Sequence, residues 1–376
     1  MAPVIKELSK YPGCARSVTC AVGQHREMLD QVLDLFQIKP DYDLNVMRPN
    51  QSLCQLTANL FSTLDSVVTE IQPNWILAQG DTTTVFVAAV VAFYHKVLFG
   101  HVEAGLRTGD KHRPFPEEVN RRLADVVADA YFAPTQRAGE ALLKEGCNEH
   151  DIYVTGNTVI DALQDVARRE YDWAAGPLGS LPATKRLVLI TAHRRESFGE
   201  PFRELCLAIR DLAIKFADVH FVYPVHLNPN VRRPVKEILA GLPNLSLIEP
   251  VDYLSMVHLL KRSTLVLTDS GGIQEEAPGL RVPVLVMRDA TERPEGIEAG
   301  VVRLVGTGRD RIVRESERLL CDPVARAAMC TGINPYGDGK AASRIVSILL
   351  ERHKKGSYFD SRSSRTGEKQ NQGTHS

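Results

Sequence analysis

Short, continuously apolar runs alternate with longer amphipathic stretches along almost the whole chain. The runs at 18–22, 75–79, 97–102, 130–133, 152–155, 187–191, 219–224, 245–248, 264–268, 282–287 and 301–305 are mostly Val, Ile and Leu. Most lack the in–out alternation of a sheet with one wet face, so they predict strands covered on both sides in a parallel sheet. Between them, 51–71 carries apolar residues at Leu53, Leu56, Leu60, Val67 and Val68, and 82–93, 201–216 and 253–261 read as helices too. Strand and helix in repeated alternation predict an α/β, doubly wound architecture.

The rhythm breaks once, near 171–186, where Gly176, Pro177, Gly179, Ser180 and Pro182 crowd together. With 376 residues, a chain of this length predicts more than one domain. The expected plan is an N-terminal domain over about 1–170, a C-terminal domain over about 184–340 and the ligand in the cleft between them. A C-terminal helix over 341–355 and a disordered tail over 356–376, polar and Ser-rich, complete it.

Charge and cysteine content narrow the class. Lys and Arg (45) nearly balance Asp and Glu (46), for a net charge of −1. That balance gives no argument for a nucleic-acid or membrane-surface partner. No apolar run approaches the ~18–20 residues of a membrane span, and the first residues lack the pattern of a signal peptide. Seven cysteines, scattered and without a CxxC pair, argue against a disulfide framework or a zinc site and fit a reducing cytoplasm.

In open α/β sheets ligands sit beyond the carboxyl ends of strands, so the polar residues that follow the apolar runs are the candidates. In Thr268-Asp269-Ser270-Gly271-Gly272-Ile273-Gln274-Glu275-Glu276, a buried strand meets a glycine turn and a helix start. That junction can point backbone N–H groups at a diphosphate. Glu276, one turn further, suits the hydroxyls of a ribose. The same pattern also reads as an ordinary βα turn with a capping Asp or Ser. Arg288 and Arg293 follow the next strand and bring guanidinium groups to the cleft. Gly80-Asp81-Thr82 makes Asp81 either a helix cap or a cleft carboxylate. Glu103 directly follows an apolar run with no core role to explain it. Glu117 and Glu118 open a Pro-led helix, where the dipole alone favours acids. His193, followed by Arg194 and Arg195, is either structural or an acid–base group. No metal-ligand spacing, no GxGxxG turn and no GxxxxGK[ST] loop is present. The residues therefore reach an α/β enzyme acting on an anionic, nucleotide-linked ligand by acid–base chemistry.

At these motifs the chain resembles the non-hydrolysing UDP-N-acetylglucosamine 2-epimerases, from Met1 to about Leu350. Gly23-Gln24-His25-Arg26-Glu27, His101-Val102-Glu103-Ala104-Gly105-Leu106-Arg107, Pro116-Glu117-Glu118-Val119-Asn120-Arg121, His193-Arg194-Arg195-Glu196, Pro224-Val225-His226-Leu227-Asn228-Pro229 and Asn334-Pro335-Tyr336-Gly337-Asp338-Gly339 carry the resemblance together with the two turns above. It implies two Rossmann-like domains of glycosyltransferase-B type, commonly a homodimer, and interconversion of UDP-GlcNAc and UDP-ManNAc through a 2-acetamidoglucal, with no cofactor and no metal. By the same resemblance Asp81, Glu103, Glu117 and His193 match the catalytic ionisable residues. Ser270, Gly271, Gly272, Glu276 and Arg293 match the UDP site. Gln24, Arg26, Glu27 and His226 match a second, activating UDP-GlcNAc site.

Members of the family begin with a strand and a Gly-Thr-Arg-Pro-Glu turn before the helix that here starts at Met1. The expectation is therefore that Met1 is an internal methionine of a longer natural chain, and that a chain starting here has weak stability and little activity. A second departure is Met256, where the family often has an aromatic residue. The rival readings are a hydrolysing epimerase that releases ManNAc and UDP, a glycosyltransferase of the same architecture, and a sugar-nucleotide binder with little activity.

Overall fold

In the computed structural model the described residues are 1–23, 26–48 and 51–367. Two parallel strands, β1 (Cys20–Ala21) and β2 (Tyr42–Asp43), pair with each other. A four-stranded parallel sheet follows in the order β3 (Trp75–Gln79), β4 (Leu98–Val102), β5 (Ala130–Ala133) and β6 (Ile152–Val154). The third sheet comprises β7 (Arg186–Thr191), β8 (Val219–Pro224), β9 (Leu245–Ile248), β10 (Ser263–Thr268), β11 (Val284–Val286) and β12 (Val302–Leu304). Its spatial order is β12-β11-β10-β7-β8-β9. That is the doubly wound order, with its reversal point between β7 and β10.

The apolar runs became strands because both their faces are covered. Every residue of β5 and β8 is buried, and β7 and β10 are nearly so. β2 escaped the sequence reading: a two-residue strand ending in Asp43 leaves no apolar run to detect. The stretch at 171–186 breaks the βα rhythm but is not a loose connection. Leu178 and Leu181 are buried in the third sheet's core, Tyr171 stacks on His258 at 4.8 Å, and Arg262 lies 4.8 Å over Trp173.

After the third sheet the chain crosses back. Ala342, Ile345, Val346 and Leu349 of the last helix join Val4, Val102 and Phe132 in one apolar cluster on the four-stranded sheet. That helix runs Ala341–Gly367, beyond the expected end at 355 and into the stretch expected to be disordered. No proline interrupts it, and a single glycine such as Gly356 costs a helix only about 1 kcal/mol. The remainder of the expected tail, 368–376, lies outside the described residues. No helix among the described residues is long and apolar enough to cross a membrane.

Candidate active site

Gln79 of β3 pairs with Val102 of β4, so Gly80-Asp81 and Glu103 leave the sheet side by side. Glu103 has φ +65°, a left-handed conformation that a non-glycine residue adopts only where its surroundings impose it. Its amide donates to the Phe132 carbonyl at 3.0 Å. Its carboxylate accepts from Gln79 Nε2 at 3.0 Å, and Gln79 accepts in turn from Thr158 Oγ at 3.1 Å.

Asp81 is not a side-chain cap: the helix Thr83–Tyr94 has Thr82 at its cap and no capping side-chain bond. Instead Arg121 Nη2 donates to Asp81 at 2.5 Å, and Asn120 Nδ2 donates to the Asp81 carbonyl at 2.9 Å. Both belong to the helix Glu117–Val126. Glu117 opens that helix one turn before Arg121, on the same face. The two adjacent acids there have different fates. Glu118 is buried and accepts from the amides of Thr108 (3.0 Å) and Gly109 (3.2 Å) and from Arg121 (3.2 Å). Glu117 is half-buried, with no hydrogen-bond or ion-pair partner among the described residues.

Beneath this group lies His101, fully buried in β4. Its Nδ1 meets Asp125 at 2.5 Å, and Arg107 holds the other Asp125 oxygen at 2.6 Å. Burial works against a charged imidazole, yet Asp125 and the Gly80 carbonyl raise the His101 pKa above its ordinary value. His101 and Arg107 likewise hold Asp125 down against its own burial. In the sequence His101 stands in the motif His101–Arg107 with no role of its own. An imidazole inside a buried strand was the available signal.

On the third sheet, Thr191 and Thr268 touch at 2.6 Å where β7 and β10 end. Asp269 follows, fully buried, and one of its oxygens accepts the amides of His193 (2.7 Å) and Arg194 (2.8 Å). Its other oxygen has no hydrogen-bond partner and sits 3.7 Å from His193 Nδ1. The His193 ring stacks on His226 with centroids 5.2 Å apart. Burial first, then His226 and Arg194, lower the His193 pKa against the pull of Asp269. His226 is exposed and accepts from the Asn228 amide at 3.1 Å. Of the other residues expected at a second nucleotide site, Gln24 lies outside the described residues. Arg26 and Glu27 open the helix Arg26–Phe36, and their side chains lie outside the described part.

Ser270 caps the helix Gly271–Gly279 with its backbone, making no capping side-chain bond. A Cβ added to Gly271 would lie 2.6 Å from Arg293 Nη1, whereas one on Gly272 would meet nothing within 4 Å. The guanidinium of Arg293 therefore lies directly against the helix start, where amide dipoles already favour an anion. Its Nε pairs with Glu275 at 2.5 Å and its Nη1 with Glu292 at 2.7 Å. Although burial opposes it, Arg293 and Arg288 hold Glu292 down at about 2. Arg288 also pairs with Glu196 at 2.7 Å. Glu276, about 100° further round the helix than Glu275, accepts from Tyr253 at 3.0 Å. Burial pushes it up to about 7, with Glu275 adding. Burial also pushes Glu275 up to about 7, with Glu103 adding and Arg293 and Asn157 opposing.

Glu103 also raises the pKa of Arg293, so the carboxylates at the end of β3 and β4 and the cation beside Gly271 share one field. A closed ring of hydrogen bonds joins the same parts. Asn157 Nδ2 donates to Glu275 at 2.8 Å, the Asn157 amide donates to the Tyr336 carbonyl at 2.7 Å, and the Tyr336 hydroxyl donates to the Arg293 carbonyl at 3.1 Å. Asp81, Glu103 and Glu117 thus come from the part of the chain built on the four-stranded sheet, His193, Ser270, Gly271 and Arg293 from the part built on the six-stranded sheet, and the ring of Asn157, Glu275, Arg293 and Tyr336 bridges the two. Glu275, Asn157, Asp125 and Arg121 were not singled out in the sequence, because their partners lie 18 to 118 residues away.

Among the described residues no group of His, Cys, Asp and Glu side chains is arranged to hold a metal ion. The arrangement can move protons between several carboxylates and an imidazole while amide dipoles and Arg293 face a leaving anion.

Residues 6–350 match the family model described as UDP-N-acetylglucosamine 2-epimerase. An Escherichia coli (strain K12) UDP-N-acetylglucosamine 2-epimerase is 50% identical over 357 residues, covering 93% of this chain and 94% of that protein. Its counterpart from Bacillus subtilis is 48% identical over 350 residues, covering 93% and 91%. A crystal structure of the Neisseria meningitidis UDP-GlcNAc 2-epimerase bound to UDP-GlcNAc superposes with TM-score 0.85 at 46% identity, covering 93% of this chain and 96% of that one.

Proposed function

This chain belongs to the UDP-N-acetylglucosamine 2-epimerase family, and from that premise we propose how its residues interconvert UDP-GlcNAc and UDP-ManNAc. It is an isomerase of two Rossmann-like α/β halves. The reaction inverts a carbon whose proton is weakly acidic, since no carbonyl adjoins it. Direct deprotonation is too costly unless a good leaving group departs at the same time. In the proposed course a base takes the C2 proton while UDP leaves C1, giving 2-acetamidoglucal. UDP then returns to C1 as a proton reaches the opposite face of C2.

Two-faced proton transfer needs more than one acid–base group. Asp81, Glu103, Glu117 and His193 supply four. Departure of the diphosphate needs preorganised positive charge, supplied by the amides of Gly271 and Gly272, beside Ser270, and by Arg293. Glu276, at the ribose end, accepts hydroxyl hydrogens. The observation that carries this reading is the contact of Arg293 with Gly271 within the field of Glu103.

Two further parts of the reading concern assembly and place. A homodimer is supported by an apolar stripe of Val119, Leu123 and Val126, which are 37%, 42% and 79% exposed, beside exposed Phe93 and Tyr94 on the adjoining helix Thr83–Tyr94. Light scattering that finds only monomer at micromolar concentration would count against it. The division at about 170–184 and a cytoplasmic location rest on the interrupted βα rhythm and on free, unpaired cysteines. The second, activating site rests on the His226 stack with His193.

Incubation with UDP-GlcNAc in heavy water tests the chemistry. Deuterium at C2 and a growing UDP-ManNAc fraction in the NMR spectrum are expected. Free ManNAc as the product would replace the reading with hydrolysis, and no deuterium at all would leave only binding.

A further inference from the structure

The Glu275 carboxylate sits where segments from both parts of the chain meet, yet it is in none of the catalytic or nucleotide-binding sets above. Arg293 faces it from the loop ahead of the helix Pro294–Glu298, with Glu292 on another nitrogen of that guanidinium, Glu103 from beyond β4 and Asn157 from beyond β6. Tyr336 faces it from the crossover, Asn334 donates to its backbone carbonyl, and Glu276 is its neighbour along the chain. Arg293 is therefore flanked by two carboxylates, with a third, Glu103, in range. A diphosphate docked at Gly271 would add two more negative charges to that one guanidinium. Like charges this close cannot all persist away from water; the buried one takes up a proton.

We propose that Glu275 is a positioning residue that binds a proton from solvent when the sugar nucleotide binds, which turns Arg293 from its internal carboxylate to the diphosphate while Asn157 keeps the side chain in place. The inference rests on the reading that Arg293 contacts the diphosphate. Geometry separates Glu275 from the other acids of the site. Glu292 is held charged by two arginines, and Glu276 faces Tyr253, away from Arg293. Burial already poises the Glu275 carboxyl at about 7 before any ligand arrives. The Asn157 bond to Oε2 survives protonation of Oε1, so the links from Glu275 through Asn157 and Tyr336 to the Arg293 backbone persist while the Arg293 side chain lets go.

Calorimetry of UDP-GlcNAc binding in buffers of differing ionisation enthalpy tests this. The sugar nucleotide is a diphosphate diester with no group that titrates near neutral pH, so any proton uptake belongs to the protein. Wild-type protein at pH 7.5 is expected to take up a large part of about one proton per site. Its affinity should fall up to about tenfold per pH unit above 7. Glu275→Gln should bind without uptake and with a flat pH profile, whereas His193→Gln should retain the uptake. Equal uptake in Glu275→Gln, or none in wild-type protein that binds, overturns the proposal. Should Glu275→Gln fail to fold, the wild-type pH profile decides alone, a flat one overturning the proposal. Wild-type protein that does not bind UDP-GlcNAc at all overturns the functional reading instead.

Discussion

His101 Nε2 lies 2.8 Å from the carbonyl oxygen of Gly80, the residue that leads into Asp81. A carbonyl can only accept, so Nε2 carries a hydrogen, and the Asp125 carboxylate at Nδ1 takes a second. The ring, with an acceptor at each nitrogen, ties the Asp81 turn to β4. Its folded pKa is raised, so the stabilisation it contributes is complete below the ordinary value of about 6.5 and fades as pH rises through the folded value. His101→Gln should therefore cost about 3 kcal/mol at pH 6 and less at pH 9. Urea unfolding at both pH values checks this, and a cost that does not change with pH would mean a neutral ring.

Glu117 and Glu118 stand next to each other and should respond oppositely. Glu118→Gln weakens charge-assisted bonds to two amides and Arg121 and should cost about 2 kcal/mol of stability. Glu117→Gln has no partner to lose and should leave Tm within a degree or two while lowering kcat about 100-fold or more. Thermal melts and steady-state rates on the two variants decide it. A Glu117→Gln enzyme with full kcat removes Glu117 from the acid–base set.

The glycine pair allows a steric test of the anion site. Gly271→Ala drives a methyl group into the Arg293 guanidinium, whereas Gly272→Ala meets open space. KM for UDP-GlcNAc should rise at least about tenfold in the first, as one well-placed contact is lost, and hardly change in the second. Equal effects would mean that Arg293 does not serve the diphosphate.

Glu276 should show a conflict between stability and binding. Its carboxyl is pushed up to about 7, so its contribution to stability is complete below its unfolded value of about 4.3 and is lost as pH rises through about 7. Above that, the buried charge is a cost. Glu276→Gln should gain up to about 3 kcal/mol at pH 8 and less at pH 5, while its affinity for UDP-GlcNAc falls. Stability that does not rise at pH 8, or unchanged affinity, would contradict the assignment.

The strands were legible in the sequence because burial on both faces leaves long apolar runs, and all eleven expected runs begin and end within two residues of an observed strand. The candidate site residues were legible for a related reason: Asp81, Glu103, His193 and Ser270 follow such runs, where a parallel sheet delivers side chains to its ligand edge. The final helix runs past the expected 355 because helix extension depends on the absence of breakers more than on apolar content.

Sequence alone determined which residues are strands and which polar groups stand at their carboxyl ends, since both follow from local order along the chain. Only the tertiary structure decided that Glu275 and Glu276, one residue apart, serve different partners, that Asp269 is spent on the His193 turn, and that His101 supports Asp81. Those outcomes depend on which side chains from distant segments share a desolvated space, and there a buried charge persists only where the fold brings it a partner.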